Sequence, residues 1–194
     1  MLLHNKLAGK ELILASKSPR RQLLLKELGL DFKIKDLDVE EQFPEKLSRE
    51  AIPLFLAKLK AEEAKKTLQD NQIMITADTI VWLGKEVLNK PTDENDAKKM
   101  LTRLSGHMHE VITAVSLSSV KKSNSFYVVT EVYFKSLSEE EINYYVETFK
   151  PLDKAGAYGV QEWIGYMGVD KINGSYFNVM GLPLKELYEE LMYF

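Results

Sequence analysis

Nine side chains in this sequence have the right types for work on phosphates. Ser16, Arg20, Arg21, Lys60, Lys90 and Lys154 supply donors and cations, and Glu41, Asp78 and Asp153 supply carboxylates. Phosphoanhydride hydrolysis needs this mixture. Cations neutralise the leaving phosphate, carboxylates hold a divalent ion that bridges phosphate oxygens, and one carboxylate takes a proton from the attacking water. Neither G-x-x-x-x-G-K-[ST] nor G-x-G-x-x-G occurs, so this is not a P-loop chain or one with a dinucleotide fingerprint.

The elements that must position these groups begin with Leu12 to Leu28, LILASKSPRRQLLLKEL. Leu12, Ile13 and Leu14 read as a buried strand, and Leu24, Leu25 and Leu28 read as one helix face. Ser18 suits the N-cap, Pro19 the first helical position and Gly29 the stop. A strand turning directly into a helix aims free N–H groups and the positive end of the helix dipole at one spot, where Ser16, Ser18, Arg20 and Arg21 gather. That describes a polyanion cradle; the plainer reading is a Ser-Pro cap with two solvated arginines.

Asp31 to Asp38 alternates like a half-buried strand, and Pro53 to about Leu68 is helical, with Leu56, Ala57, Ala61 and Ala64 on one face. Lys60 falls on that apolar face, where its ammonium needs an anion, unless it snorkels to water. Ile73 to Leu83, IMITADTIVWL, is the most strand-like run, and it contains Asp78. Burying an unpaired carboxylate is costly, so Asp78 must be ion-paired, bound to a metal, or placed at the lip of a cleft. Thr92 is expected to cap the next helix and Gly106 to end it. Glu110 to Val120 and Ser125 to Phe134 read as strands, and Ser138 with Glu141 as a capping box. Asp153 to Gln161, DKAGAYGVQ, reads as a shaped loop. Asn173-Gly174 signals a hairpin between Gly168 to Ile172 and Ser175 to Met180, before a last helix near Pro183.

The chain has 194 residues, 45% of them hydrophobic, a formal charge of −3 and no cysteine. It is long enough for one domain with a core or two small lobes. The acidic balance argues against nucleic acid and anionic membranes. Without cysteine there are no disulfides, thiolate nucleophiles or Cys-based zinc sites. No run approaches the roughly 20 apolar residues that span a bilayer, so a cytoplasmic protein is expected. His107 and His109 lack a third ligand nearby, which favours a loop hydrogen bond over a metal site.

Several motifs in order, ASKSPRRQ at 15 to 22, ADT at 77 to 79, KP at 90 to 91, LSGHMH at 104 to 109, DKAGAYGVQ at 153 to 161, then KINGSY and GLP, resemble the Maf family of nucleoside triphosphate pyrophosphatases. The DKAGAYG-x-Q loop is similar to that of the branch hydrolysing dTTP and UTP to monophosphate and pyrophosphate. The resemblance implies a single α/β domain over residues 1 to 194, with a mixed twisted sheet flanked by helices and two lobes around a cleft. It implies Asp78 as proton acceptor, Arg20, Thr79 and Gln161 as specificity residues, and Ser16, Arg21, Lys60 and Lys90 in the same cleft, with Lys154 in the matched loop. Mg²⁺ or Mn²⁺ is the expected cofactor, with Glu41 and Asp78 as its ligands, and a homodimer is expected by analogy. The resemblance also brings a competing expectation, a non-catalytic regulator of septum formation acting through protein binding. Lys17, Glu162 and Trp163 depart from the common family pattern and are expected to tune substrate range.

Overall fold

The computed structural model describes residues 2–194. A first short helix, α1 (Leu3–Lys6), precedes β1 (Glu11–Leu14), α2 (Pro19–Glu27), β2 (Phe32–Ile34), α3 (Ala51–Lys65) and β3 (Gln72–Leu83). Then come β4 (Glu86–Leu88), α4 (Glu94–Leu104), β5 (Met108–Ser118), β6 (Ser123–Phe134) and α5 (Glu139–Phe149). The chain closes with α6 (Trp163–Gly168), β7 (Val169–Asn173), α7 (Tyr176–Met180) and α8 (Leu184–Tyr193). The strands hydrogen-bond in the order β2-β1-β3-β5-β6-β7, with β4 on β3. β1 lies parallel to both β2 and β3, whereas β3–β4 and β6–β7 are antiparallel. The sheet is therefore mixed and flanked by helices, as expected. Among the described residues no helix is long and apolar enough to cross a membrane.

The chain divides into two compact units. One holds residues up to Asp78, Thr113–Val128 and Gly181–Phe194; the other holds Thr79–Ile112 and Val129–Met180. In the first, Ile13, Ala15, Ala64 and Met74 pack together, so the apolar face of α3 lies against β1 and β3. Thr76 is fully buried and donates its hydroxyl to the Ala57 carbonyl at 2.8 Å, fixing where α3 sits along β3. In the second, the α4 stripe Ala97, Leu101 and Leu104 joins Ile142, Tyr145 and Val146 of α5 and Val111, Val132 and Phe134 of the sheet. Burying such stripes is the main favourable contribution to folding, at roughly 25 cal/mol per Å² of apolar surface.

Local signals hold up well. Ser18 caps α2 by accepting the Arg21 N–H, and Ser138 with Glu141 forms the complete capping box of α5. Three expectations do not hold. The cap of α4 is Asp93, not Thr92: its carboxylate accepts the Asp96 N–H at 2.8 Å, while Thr92 donates its own N–H back to Asp96. The half-buried strand at 31 to 38 shrinks to three residues, β2, of which Lys33 and Ile34 are exposed. The Asn173-Gly174 hairpin is absent. β7 pairs with β6, Asn173 facing Glu131, and the chain past Gly174 enters α7. Side chains decide this: the Thr130 hydroxyl oxygen accepts the Ser175 N–H at 3.0 Å, and Ser175 Oγ accepts the Asn178 N–H at 3.2 Å. That bond caps a helix where the second strand would have started.

Candidate active site

In the first unit the sequence-predicted residues gather around Asp78. The strand β3 carries Asp78 two positions beyond Thr76, and α3 carries Lys60 three beyond Ala57, so the Thr76–Ala57 bond brings both charges together. Lys60 Nζ stands 2.6 Å from Asp78 Oδ1 and 2.7 Å from Glu41 Oε1. The Lys60 and Asp78 side chains are only 12% and 9% exposed, against 43% for Glu41. The lysine on the apolar stripe is thus neither solvated nor stray. It bridges the two carboxylates expected to hold a metal.

Burial drives the Asp78 carboxyl above the ordinary carboxylate range, and Lys60, then Arg21, oppose that rise. A carboxylate so raised is a better proton acceptor near neutral pH than a solvated one. Arg21 reaches the same place from α2. Its Nε donates to the Gly181 carbonyl at 2.8 Å and its Nη1 donates to the Ala77 carbonyl at 2.9 Å, with Ser16 Oγ at 3.5 Å. Ala77 directly precedes Asp78, so Arg21 fixes the backbone that carries the acid. Burial lowers the Arg21 pKa, yet a guanidinium stays charged throughout the working range. Ser16 Oγ also accepts the Ser18 N–H at 3.2 Å, and Gln22 closes the turn by donating to the Ser16 carbonyl at 3.2 Å. Arg20 is partly exposed beside Arg21.

The second unit carries Thr79, Lys90, Lys154 and Gln161. Thr79 follows Asp78 in β3 and is partly exposed. Lys90 is exposed on the segment after β4, next to Asn89, whose carbonyl accepts the Gly156 N–H at 3.1 Å. That bond seats the 153–161 loop beside Lys90. Lys154 is buried, with its ammonium 2.7 Å from Asp153 and 3.1 Å from Glu162. The Tyr145 hydroxyl donates to Glu162 Oε2 and accepts the Gly159 N–H at 3.0 Å. Gln161 is half-buried, and its amide oxygen is buried with no protein partner. Sequence reading named Glu162 only as a departure from the family pattern and did not single out Tyr145, whose hydroxyl partners lie 14 and 17 positions away.

Both histidines behave as structure. The His107 ring meets the Ser105 carbonyl at 2.8 Å, the expected loop hydrogen bond. His109 is buried with Nε2 2.7 Å from the Tyr158 hydroxyl, and burial pushes its pKa down to about 3. A groove of about 650 Å³ between α4 and α5, lined by Lys98, Arg103, Ile142 and Asn143 among others, holds none of the expected site residues.

Among the described residues no group of three or more His, Asp or Glu side chains is placed to hold a metal. Glu41 and Asp78 each meet Lys60 through one oxygen. A divalent ion bound together with a substrate's phosphates needs only one or two protein carboxylates, and Glu41 and Asp78 would be the ones to hold it.

A protein named dTTP/UTP pyrophosphatase from Phocaeicola vulgatus is 53% identical over 182 residues, covering 93% of this chain and 94% of that protein. Proteins of the same name from Cytophaga hutchinsonii and Parabacteroides distasonis are 51% and 49% identical, covering 96% and 95% of this chain and 85% and 96% of their own lengths. The family described as Maf-like protein matches residues 11–194, from the first residue of β1 to the end of the chain, and the chain belongs to that family.

Proposed function

We propose that this protein is a nucleoside triphosphate pyrophosphatase that hydrolyses dTTP and UTP to the nucleoside monophosphate and pyrophosphate, keeping surplus or non-canonical pyrimidine triphosphates out of the nucleotide pool. The reading is supported by relatives of that name at about half identity over nearly the whole chain. The observation on the molecule that carries it is the Asp78 carboxylate, buried within an apolar strand and raised toward the working range of a base.

In this mechanism Asp78 accepts a proton from the water that attacks the α-phosphorus. The new bond joins that water's oxygen to the α-phosphorus, the bond from the α-phosphorus to the bridging oxygen breaks, and pyrophosphate leaves. Lys60 holds Asp78 and Glu41 in place, and Arg21 fixes the backbone at Ala77. Arg20 and Lys90 supply charge to the phosphates, with Ser16 and Thr79 as hydroxyl donors. A bound Mg²⁺ or Mn²⁺ held by Glu41 and Asp78 would neutralise phosphate charge. Gln161 reads the base, because a side-chain amide both donates and accepts. Lys154 belongs to the loop that carries Gln161. A homodimer and a cytoplasmic location are part of the same proposal and rest on the family resemblance.

The test is to incubate the purified protein with Mg²⁺ or Mn²⁺ and, separately, UTP, dTTP, CTP, GTP and ATP, resolving products by anion-exchange chromatography. UMP and dTMP with pyrophosphate are expected. Diphosphate with inorganic phosphate would replace this reaction by γ-phosphate hydrolysis, and equal turnover of all five nucleotides would remove Gln161 as the reader.

A further inference from the structure

A glutamine amide alone cannot tell uracil from cytosine. Uracil and thymine offer the acceptor O4 beside the donor N3–H; cytosine offers the donor N4–H₂ beside the acceptor N3. With Oε1 on N3–H and Nε2 toward O4, the amide matches uracil, and rotated by half a turn it matches cytosine equally well. That terminal torsion is soft and roughly two-fold. Discrimination therefore requires something that holds the amide in one sense.

The Glu162 carboxylate is placed to do this. One of its oxygens lies 3.1 Å from Lys154 Nζ and the other accepts from Tyr145, so the carboxylate is pinned from both sides. The Gly159 N–H, donated to the same Tyr145 hydroxyl at 3.0 Å, ties the backbone into the arrangement. A Cβ on Gly159 would stand 3.0 Å from Gln161 Nε2, 3.0 Å from Glu162 Oε2 and 2.8 Å from Glu162 Cδ. A side chain on Gly159 would therefore crowd both the Gln161 amide nitrogen and the Glu162 carboxylate, which border the same space. A carboxylate attracts the N–H₂ end of an amide and repels its oxygen, which leaves Oε1 turned away. Oε1 is indeed the end that is buried without a protein partner, a costly state that a ligand donor would relieve.

We infer that Glu162 is a positioning residue that orients the Gln161 amide to accept from N3–H of uracil or thymine, and so to disfavour cytosine. The inference rests on Gln161 as the base reader. It is tested in the full-length protein with Glu162→Gln, Glu162→Asp, Tyr145→Phe and Gln161→Ala, measuring kcat/KM for UTP and for CTP. Glu162→Gln is expected to lower the UTP-to-CTP ratio about tenfold, with the CTP value rising while the UTP value falls. Glu162→Asp, which keeps the charge, is expected to retain more of the ratio. A gain on CTP cannot come from partial unfolding, which lowers both values together, and such a parallel loss overturns the inference. A second measurement reads the amide directly, through the ¹⁵N-correlated side-chain signals of Gln161, identified by their loss in Gln161→Ala. Those signals should move in Glu162→Gln and Tyr145→Phe, and unchanged signals overturn the inference whatever the turnover. Gln161→Ala separates the two failures. If it leaves the ratio intact, base reading by Gln161 falls and the inference falls with it. If it lowers the ratio while Glu162→Gln does not, only the positioning role falls.

Discussion

Two largely buried lysine side chains in this protein sit in almost the same company. Lys60 lies between a buried and an exposed carboxylate, Asp78 and Glu41; Lys154 lies between the mostly buried Glu162 and the exposed Asp153. The difference is in the buried acid. Glu162 stands on a loop, and its second oxygen accepts from Tyr145, so its charge is spent on holding that loop. Asp78 stands inside a strand, and burial raises its carboxyl despite the ammonium beside it. Under the proposed function, similar ion triads serve opposite ends: one would keep a proton acceptor poised, and the other would clamp the backbone around Gln161.

The strongest way to break this comparison is Asp78→Asn. Loss of a general base costs about a hundred- to ten-thousandfold in rate. The fold should tolerate the change, because Lys60 keeps its second carboxylate partner, Glu41, at 2.7 Å. A carboxyl raised on folding binds its proton more tightly in the folded than in the unfolded state, so its ionised form subtracts stability at neutral pH, and the neutral amide removes that cost. Turnover near zero with an undiminished Tm is the expected outcome. A variant that keeps full turnover would end the role given to Asp78, and one that loses Tm in step with turnover would make the Lys60 triad a clamp like the other.

Lys154→Met should do the reverse. Removing one partner of a buried pair leaves the Glu162 carboxylate uncompensated, at a cost of about 3 kcal/mol. Asp153 adds little because it is largely exposed. The urea midpoint should fall accordingly at pH 7. If the midpoint instead stays at the wild-type value while KM for UTP rises tenfold or more, Lys154 grips phosphate and the comparison is wrong.

How far the sequence reveals these two triads follows from where their partners lie. Asp78 was legible because an unpaired carboxylate in IMITADTIVWL has no cheap structural reading, and Lys60 because it interrupts an apolar helix stripe. The Ser18 cap and the Ser138–Glu141 box were legible because their hydrogen bonds close within three residues. Lys154 was legible as a cation but not as a clamp, since a spacing of eight residues across a loop does not show that Glu162 folds back onto it. The hairpin at Asn173-Gly174 failed for a related reason. Turn residues report local backbone preference, whereas the pairing that decided the outcome, Asn173 with Glu131, and the Thr130–Ser175 bond span more than 40 residues. At α4 two neighbouring cap residues competed, and the carboxylate of Asp93 took the place expected for Thr92.

The finest test of the comparison is the acid limb of the pH profile. As a base, Asp78 must be ionised, so kcat/KM falls as pH drops through its folded pKa. Because burial raises that pKa, the limb should lie above the ordinary aspartate value of about 4. Lys60 works against the rise, so Lys60→Met should move the limb to higher pH. Lys154→Met should move it far less, because its ammonium is bound to Asp153 and Glu162. A limb that stays in place in Lys60→Met would mean that the proton titrated in the rate is not the one on Asp78. An equal displacement by both variants would erase the distinction between the poised acid and the clamp.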